Sequence, residues 1–331
     1  METRKVQQVG GGTYTVSIPV HWANEHDVGA GDTAYLYPHS DGSLVVRWAE
    51  RDHSALAATT VDVDGGTPAA AGRALDAAYT AGFKRIELRA ADGLGDEQRR
   101  AVVDRARTLS GVGVTEEDDS AVVVQGLLDA GDVSIRQSVL QLRFSALSVH
   151  ERATAALAAA APDVDRVLDR TRESDRLARL VARQANRALV DRSVLDDLGL
   201  SRRRLAEYAV AARQLDRVAG HAAGVSRRVR DCGGGVTEGV AAELADVGET
   251  ARGVVDDAIG ALVDGGDCEA AQAVHDRAGA VAAEGERVER ALLEREGAES
   301  THLVRVLDHL LRTAACGERV AAAALRVSLR S

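Results

Sequence analysis

Lysine is almost missing from this chain: of 41 basic residues only Lys5 and Lys84 are lysines, and acidic residues outnumber the arginines to leave a net charge of −10. An acidic surface repels polyphosphate, which excludes indiscriminate nucleic-acid coating at ordinary ionic strength. The bias toward alanine, valine, aspartate and arginine is that of GC-rich genomes and of proteins adapted to high intracellular salt. At molar salt the screening length falls to about 3 Å and net charge says little about partners. Cysteine is scarce too. Cys232, Cys268 and Cys316 are far apart and odd in number, which excludes a disulfide framework and gives no pair a metal-site spacing. No apolar run reaches the roughly 18 residues that span a bilayer, so no membrane insertion is expected. The start, METRKVQQVGGG, lacks the apolar core of a signal peptide, so a cytoplasmic location is expected.

Aromatics and prolines are few and unevenly placed. Tyr14, Trp22, Tyr35, Tyr37 and Trp48 fall in the first 50 residues, whereas Phe144 and Tyr208 are the only aromatics after residue 125. No proline follows Pro162, and a proline-free stretch of that length permits long helices. A chain of 331 residues exceeds one ordinary core and fits two or three domains.

Residues 1–52 are expected to form a small strand, helix, strand, strand unit. VQQVGGGTYTVSIP reads as one strand entered through glycines and stopped by Pro19, followed by a short helix near 21–27 and a hairpin turned at Asp41-Gly42. A unit this small is marginal unless it pairs. Residues 53–127 alternate strands with helices, as a compact α/β layer does. Thr67-Pro68 supplies an N-cap and first turn for PAAAGRALDAAYTAG, RIELRA is a strand, GDEQRRAVVDRARTLSG is a helix, and a strand pair flanks the acidic run Glu116 to Asp119. Residues 128–331 read as six helices, near 133–160, 163–191, 201–230, 237–264, 268–294 and 300–328. Their breaks lie at Pro162, GLS before Arg202, CGGG and DGGD. The predicted fold is therefore multidomain α+β, its helices arranged as two three-helix bundles. A weak match of the second and third helices to the fifth and sixth suggests a duplicated three-helix unit.

GGGTYTVSIPVHWANEHDVGAGDTAYLYPHSDGSLVV resembles the AbrB/SpoVT swapped-hairpin domain over residues 3–48. RESDRL at 172–177 and QLDRVAGHAAGV at 214–225 resemble the PhoU family of phosphate uptake regulators. The combination is similar to archaeal PhoU-like regulators with an AbrB-type N-terminus. The resemblance implies a non-enzymatic homodimer joined through its N-terminal domain and acting on a phosphate transporter or phosphate-signalling protein. It also implies acidic motifs of the type Glu-x-x-x-Asp that hold iron or zinc, since carboxylates at i and i+4 share one helix face. Here Asp216 takes the place of the glutamate, its partner position is Gly220, and Asp175 and His221 keep neighbouring acid and histidine positions. The aligned second-bundle positions are Ala282, Leu311 and Ala315. Asp175, Asp216 and His221 thus read either as a residual site for one divalent or iron ion on the first bundle or as ion-paired surface groups.

Other chemistry finds little footing. Gly10 to Gly12 precede a strand and lack the Gly-Lys-Ser/Thr of a phosphate loop. The histidines at 21, 26, 39 and 53 have no ligand spacing, and no serine or cysteine has a recognisable base nearby. DNA binding would rest on Arg4 and Lys5, doubled by a dimer, in a segment whose four basic and seven acidic residues leave a net −3. The competing readings are an AbrB-type transcriptional regulator with a helical sensor region and a helical scaffold unrelated to phosphate.

Overall fold

The computed structural model describes residues 2–39, 42–48, 53–159, 164–232, 236–295 and 299–329. The chain divides into two compact units, Met1–His53 and Ser54–Ser331. In the first, β1 (Gln7–Val9) pairs antiparallel with β2 (Thr13–Thr15), α1 (Val20–Glu25) follows, and β3 (Tyr35–Pro38) pairs antiparallel with β4 (Leu44–Arg47). This corrects the expectation of a single first strand. Gly10 adopts φ +64°, which reverses the chain so that Gln7 lies opposite Thr15, and the triplet of glycines is a hairpin turn. The expected turn at Asp41-Gly42 falls between β3 and β4, with Asp41 outside the described residues. Trp22 stacks on His26 and tilts against Trp48, and His39 is the one buried residue among those described in this unit.

The second unit begins with β5 (Ala58–Asp62), α2 (Pro68–Ala81), β6 (Arg85–Arg89), α3 (Asp96–Arg107), β7 (Val112–Glu117) and β8 (Ala121–Gly126). The sheet order is β5-β6-β8-β7, with β5 parallel to β6 and the other pairs antiparallel. Alternation along the strands buries Ile86, Leu88, Val122 and Val124 against Leu75, Tyr79 and Val102 of α2 and α3. The expected cap is present: the Thr67 hydroxyl accepts from the Ala70 amide and Pro68 opens α2. The acidic turn closes on itself, Asp118 accepting from the Ser120 and Ala121 amides while Arg99 pairs with Asp119.

Helices α4 (Ile135–Ala155), α5 (Val164–Val190), α7 (Arg202–Asp231), α8 (Glu238–Val263), α9 (Cys268–Leu293) and α10 (Glu299–Ser328) match the six expected segments within a few residues, and a short α6 (Ser193–Leu198) intervenes before Gly199. The expected breaks at Pro162 and Gly233 to Gly235 lie outside the described residues. Ser134, Ser201 and Asp267 cap α4, α7 and α9 through their side-chain oxygens. None of the described helices is long and apolar enough to cross a membrane.

Helices α4, α5 and α7 pack mutually, and so do α8, α9 and α10. The two triplets meet where α7 lies on α10 and α4 lies on α8. Glu207 grips Arg326 through two hydrogen bonds of 3.0 and 2.8 Å while His221 reaches His309, so α7 and α10 run antiparallel. The α/β layer is bolted to α5 by Arg183, which is buried, donates to the Tyr79 and Phe83 carbonyls at 2.6 and 2.8 Å and lies over the Tyr79 ring. Asn186 adds a bond to the Thr80 carbonyl. These bonds add to the cap at the C-terminal end of α2, where the Gly82 amide also donates to the Tyr79 carbonyl.

The crossing of α8 and α10 needs a residue without a side chain. A Cβ on Gly317 would lie 2.9 Å from the Val254 carbonyl carbon and the Val255 nitrogen, backbone atoms that cannot step aside. Gly279, in the exposed middle of α9, has nothing within 4 Å. Gly317→Ala is therefore expected to destabilise by about 1–3 kcal/mol through overpacking, whereas Gly279→Ala should stabilise by up to about 1 kcal/mol through helix propensity. Urea midpoints of the two variants check this; shifts of the same sign would contradict it.

Candidate functional site at the seam of the helix triplets

The residues singled out for DNA are exposed, but Arg4 is held by Glu2 at 2.7 Å, and Glu2 also lies 3.8 Å from His21. Each end of that pair is near half-exposed, so its energetic weight is small. Its effect is to cancel one of the two cations at the place where a phosphate would have to sit.

The three residues singled out for a metal do not converge. Asp175 accepts from Arg179 at 2.6 Å and from Arg105 at 3.3 Å, and the same two arginines hold Asp76 at 2.7 and 2.6 Å. This four-residue cluster ties α2 and α3 of the layer to α5. Asp216 is half-buried near Asp175, and its carboxyl pKa is raised, first by burial and then by the Asp175 charge. His221 turns elsewhere, to His309. Among the described residues no group of three or more histidine, cysteine, aspartate or glutamate side chains is placed to hold a metal ion. Asp175 instead serves as a joint between layers.

The least ordinary chemistry of the chain lies where α4, α7, α8 and α10 meet. His150 on α4 is completely buried, and neither ring nitrogen has a hydrogen-bond partner. Such a group is costly, since buried polar atoms are nearly always paired. Burial holds its pKa down to about 3, with the charge of Arg252 on α8 and the nearby His221 on α7 adding to the effect. Arg252 also donates to the Thr154 hydroxyl, one turn along from His150, at 3.4 Å. His221 and His309 face each other Nδ1 to Nδ1 at 3.4 Å, ring centroids 5.6 Å apart. Burial, and then His309 and Arg312, hold His221 near 4; burial likewise lowers His309.

Two facing Nδ1 atoms have room for one proton between them, so one neutral ring must donate and the other accept. Packing fixes this choice of partner. Gly224 on α7 lies directly under the His309 ring, and any Cβ there would collide with the ring. The seam is thus polar, neutral and tight, within a surround of alanine, valine and leucine.

His221 was identifiable from the sequence by a family motif, but its partners were not, because His150 and His309 lie 71 and 88 residues away along the chain. No family model and no curated protein matches the chain.

With a net negative unit and Arg4 engaged by Glu2, electrophoretic mobility shift of duplex DNA by the full chain is expected to be absent at 150 mM salt, and Lys5→Ala should change nothing. A shift whose affinity falls steeply with salt and weakens in the Lys5 variant would contradict that expectation.

Proposed function

We propose that the chain is a cytoplasmic, non-enzymatic regulator of phosphate uptake, similar to PhoU, acting by binding one state of a transporter or signalling partner and shifting its population. The observation that carries this reading is the pairing of two helix triplets, α4 with α5 and α7 against α8 with α9 and α10, in the order expected of a duplicated three-helix unit. The family motifs RESDRL and QLDRVAGHAAGV lie on α5 and α7 of the first triplet.

In this reading residues 1–52 make the homodimer. Their exposed apolar side chains support it: Val6, Val9, Tyr14, Ile18, Val20 and Leu36 all face solvent, in a unit that encloses almost nothing by itself. A second copy with interleaved hairpins covers such a surface, as small units that pair do.

The partner docks on a groove of about 750 Å³ between α4 and α8, where exposed Phe144 stands beside Leu140 and Leu147. Arg143 is occupied by Asp256 at 2.6 Å, and Arg252 offsets one of the Glu151 and Glu249 carboxylates, so the lining keeps a small negative excess. That combination fits an amphipathic helix of the partner with basic residues along its flank.

Phosphate uptake by cells lacking the chain checks the reading. Uptake is expected to escape repression at high external phosphate, and a Phe144→Asp chain should fail to restore it while keeping wild-type far-UV circular dichroism. Unchanged uptake without the chain would overturn the assignment to phosphate.

A further inference from the structure

His150 is fully enclosed with two unpartnered nitrogens, and Gly224 packs so closely on one side of the His309 ring that no bound molecule fits there. A proton needs no such space. We propose that His150, His221 and His309 form a proton-operated latch between the two helix triplets, shut while all three rings are neutral and released when they take up protons.

The charges around the seam dictate the direction. A proton on His150 creates a cation that faces Arg252 from α8 and His221 from α7, with no acceptor for its N–H groups. The first proton taken up by the pair can sit on an outer Nε2 and leave the Nδ1 contact intact, but a second sets two N–H groups against one another at 3.4 Å. From α10, Arg312 and Asp308 act on His221, with Arg217 on its own helix. From α7, Arg227 and Arg228 act on His309, which shares α10 with Asp308 and Arg312. Asp308 is the only acid in these sets. His150, fully enclosed, therefore takes up a proton only if α4 and α7 separate from α8 and α10, whereas the half-buried His221 and His309 resist protonation through the cations around them rather than through enclosure.

The sign follows from linkage. The closed state holds His150 near 3 and His221 near 4, below the ordinary 6.5 that an opened seam restores. The opened state thus binds more protons, and closure is fully favoured above pH 6.5 and weakens as pH falls toward 4. Between pH 7 and pH 5 one such histidine multiplies the open population by roughly 25-fold, and two by several hundredfold. The latch goes beyond the phosphate reading and stands without it.

Cys316 reports the opening. It is buried on α10, seven residues and two turns from His309 on the same face. The experiment uses the full chain with Cys232→Ser and Cys268→Ser, so that Cys316 is the sole thiol. Its rate of reaction with a pyridyl disulfide is divided by that of the urea-unfolded chain at each pH, which cancels thiol ionisation. The normalised rate is expected to rise several hundredfold from pH 7 to pH 5 with helicity retained. His150→Leu and, separately, His221→Gln should each remove about 25-fold of that rise. If one variant fails to fold, the other carries the test. A rate independent of pH, a rise unaltered in the folded variants, or a rise that tracks loss of helicity would each overturn the latch.

Discussion

The antiparallel contact of α7 on α10 is the constraint on which the helical region depends. It joins the two triplets within a core built largely from small residues. Ala212, Ala219, Ala222 and Ala223 on α7 and Ala314, Ala321 and Ala324 on α10 are all buried. Small side chains yield less transfer energy per residue than leucine or phenylalanine. They repay it by letting backbones approach, so that many weak dispersion contacts accumulate. A core of this kind tolerates enlargement poorly, and a polar group within it has nowhere to turn. That is why three histidines at this contact matter more than their number suggests.

Much of the helical region was legible in the sequence because its information is local. The stripe of Leu205, Tyr208, Ala209, Ala212, Leu215, Ala219, Ala222 and Val225 lies on α7 and is buried except for the half-buried Ala209, and the Thr67-Pro68 and DGGD signals fall at helix ends. The first strand was misread for an equally local reason. Glycines flanked by β-branched residues are compatible with both a strand entrance and a hairpin turn, and only pairing of Gln7 with Thr15 distinguishes them.

The candidate site was far less legible. Asp175 looked available because Arg105 and Asp76 belong to another layer, 70 and 99 residues away in the chain. His150 sits next to Val149 and three residues before Ala153, both buried, and nothing in that spacing announces a ring without partners. Its character comes from which helices enclose it. Acid and arginine composition also concealed the seam, since a chain with net charge −10 gives no hint that arginines stand around the seam's histidines.

The central claim is that the contact between the triplets holds its three histidines neutral, and nitrogen-15 NMR of histidine-labelled full chain at pH 6 tests it most directly. The account predicts neutral rings at His150, His221 and His309, with opposite tautomers in the facing pair. An imidazolium signal assigned to His150 at that pH, or ordinary titration of all three near 6.5, would contradict it.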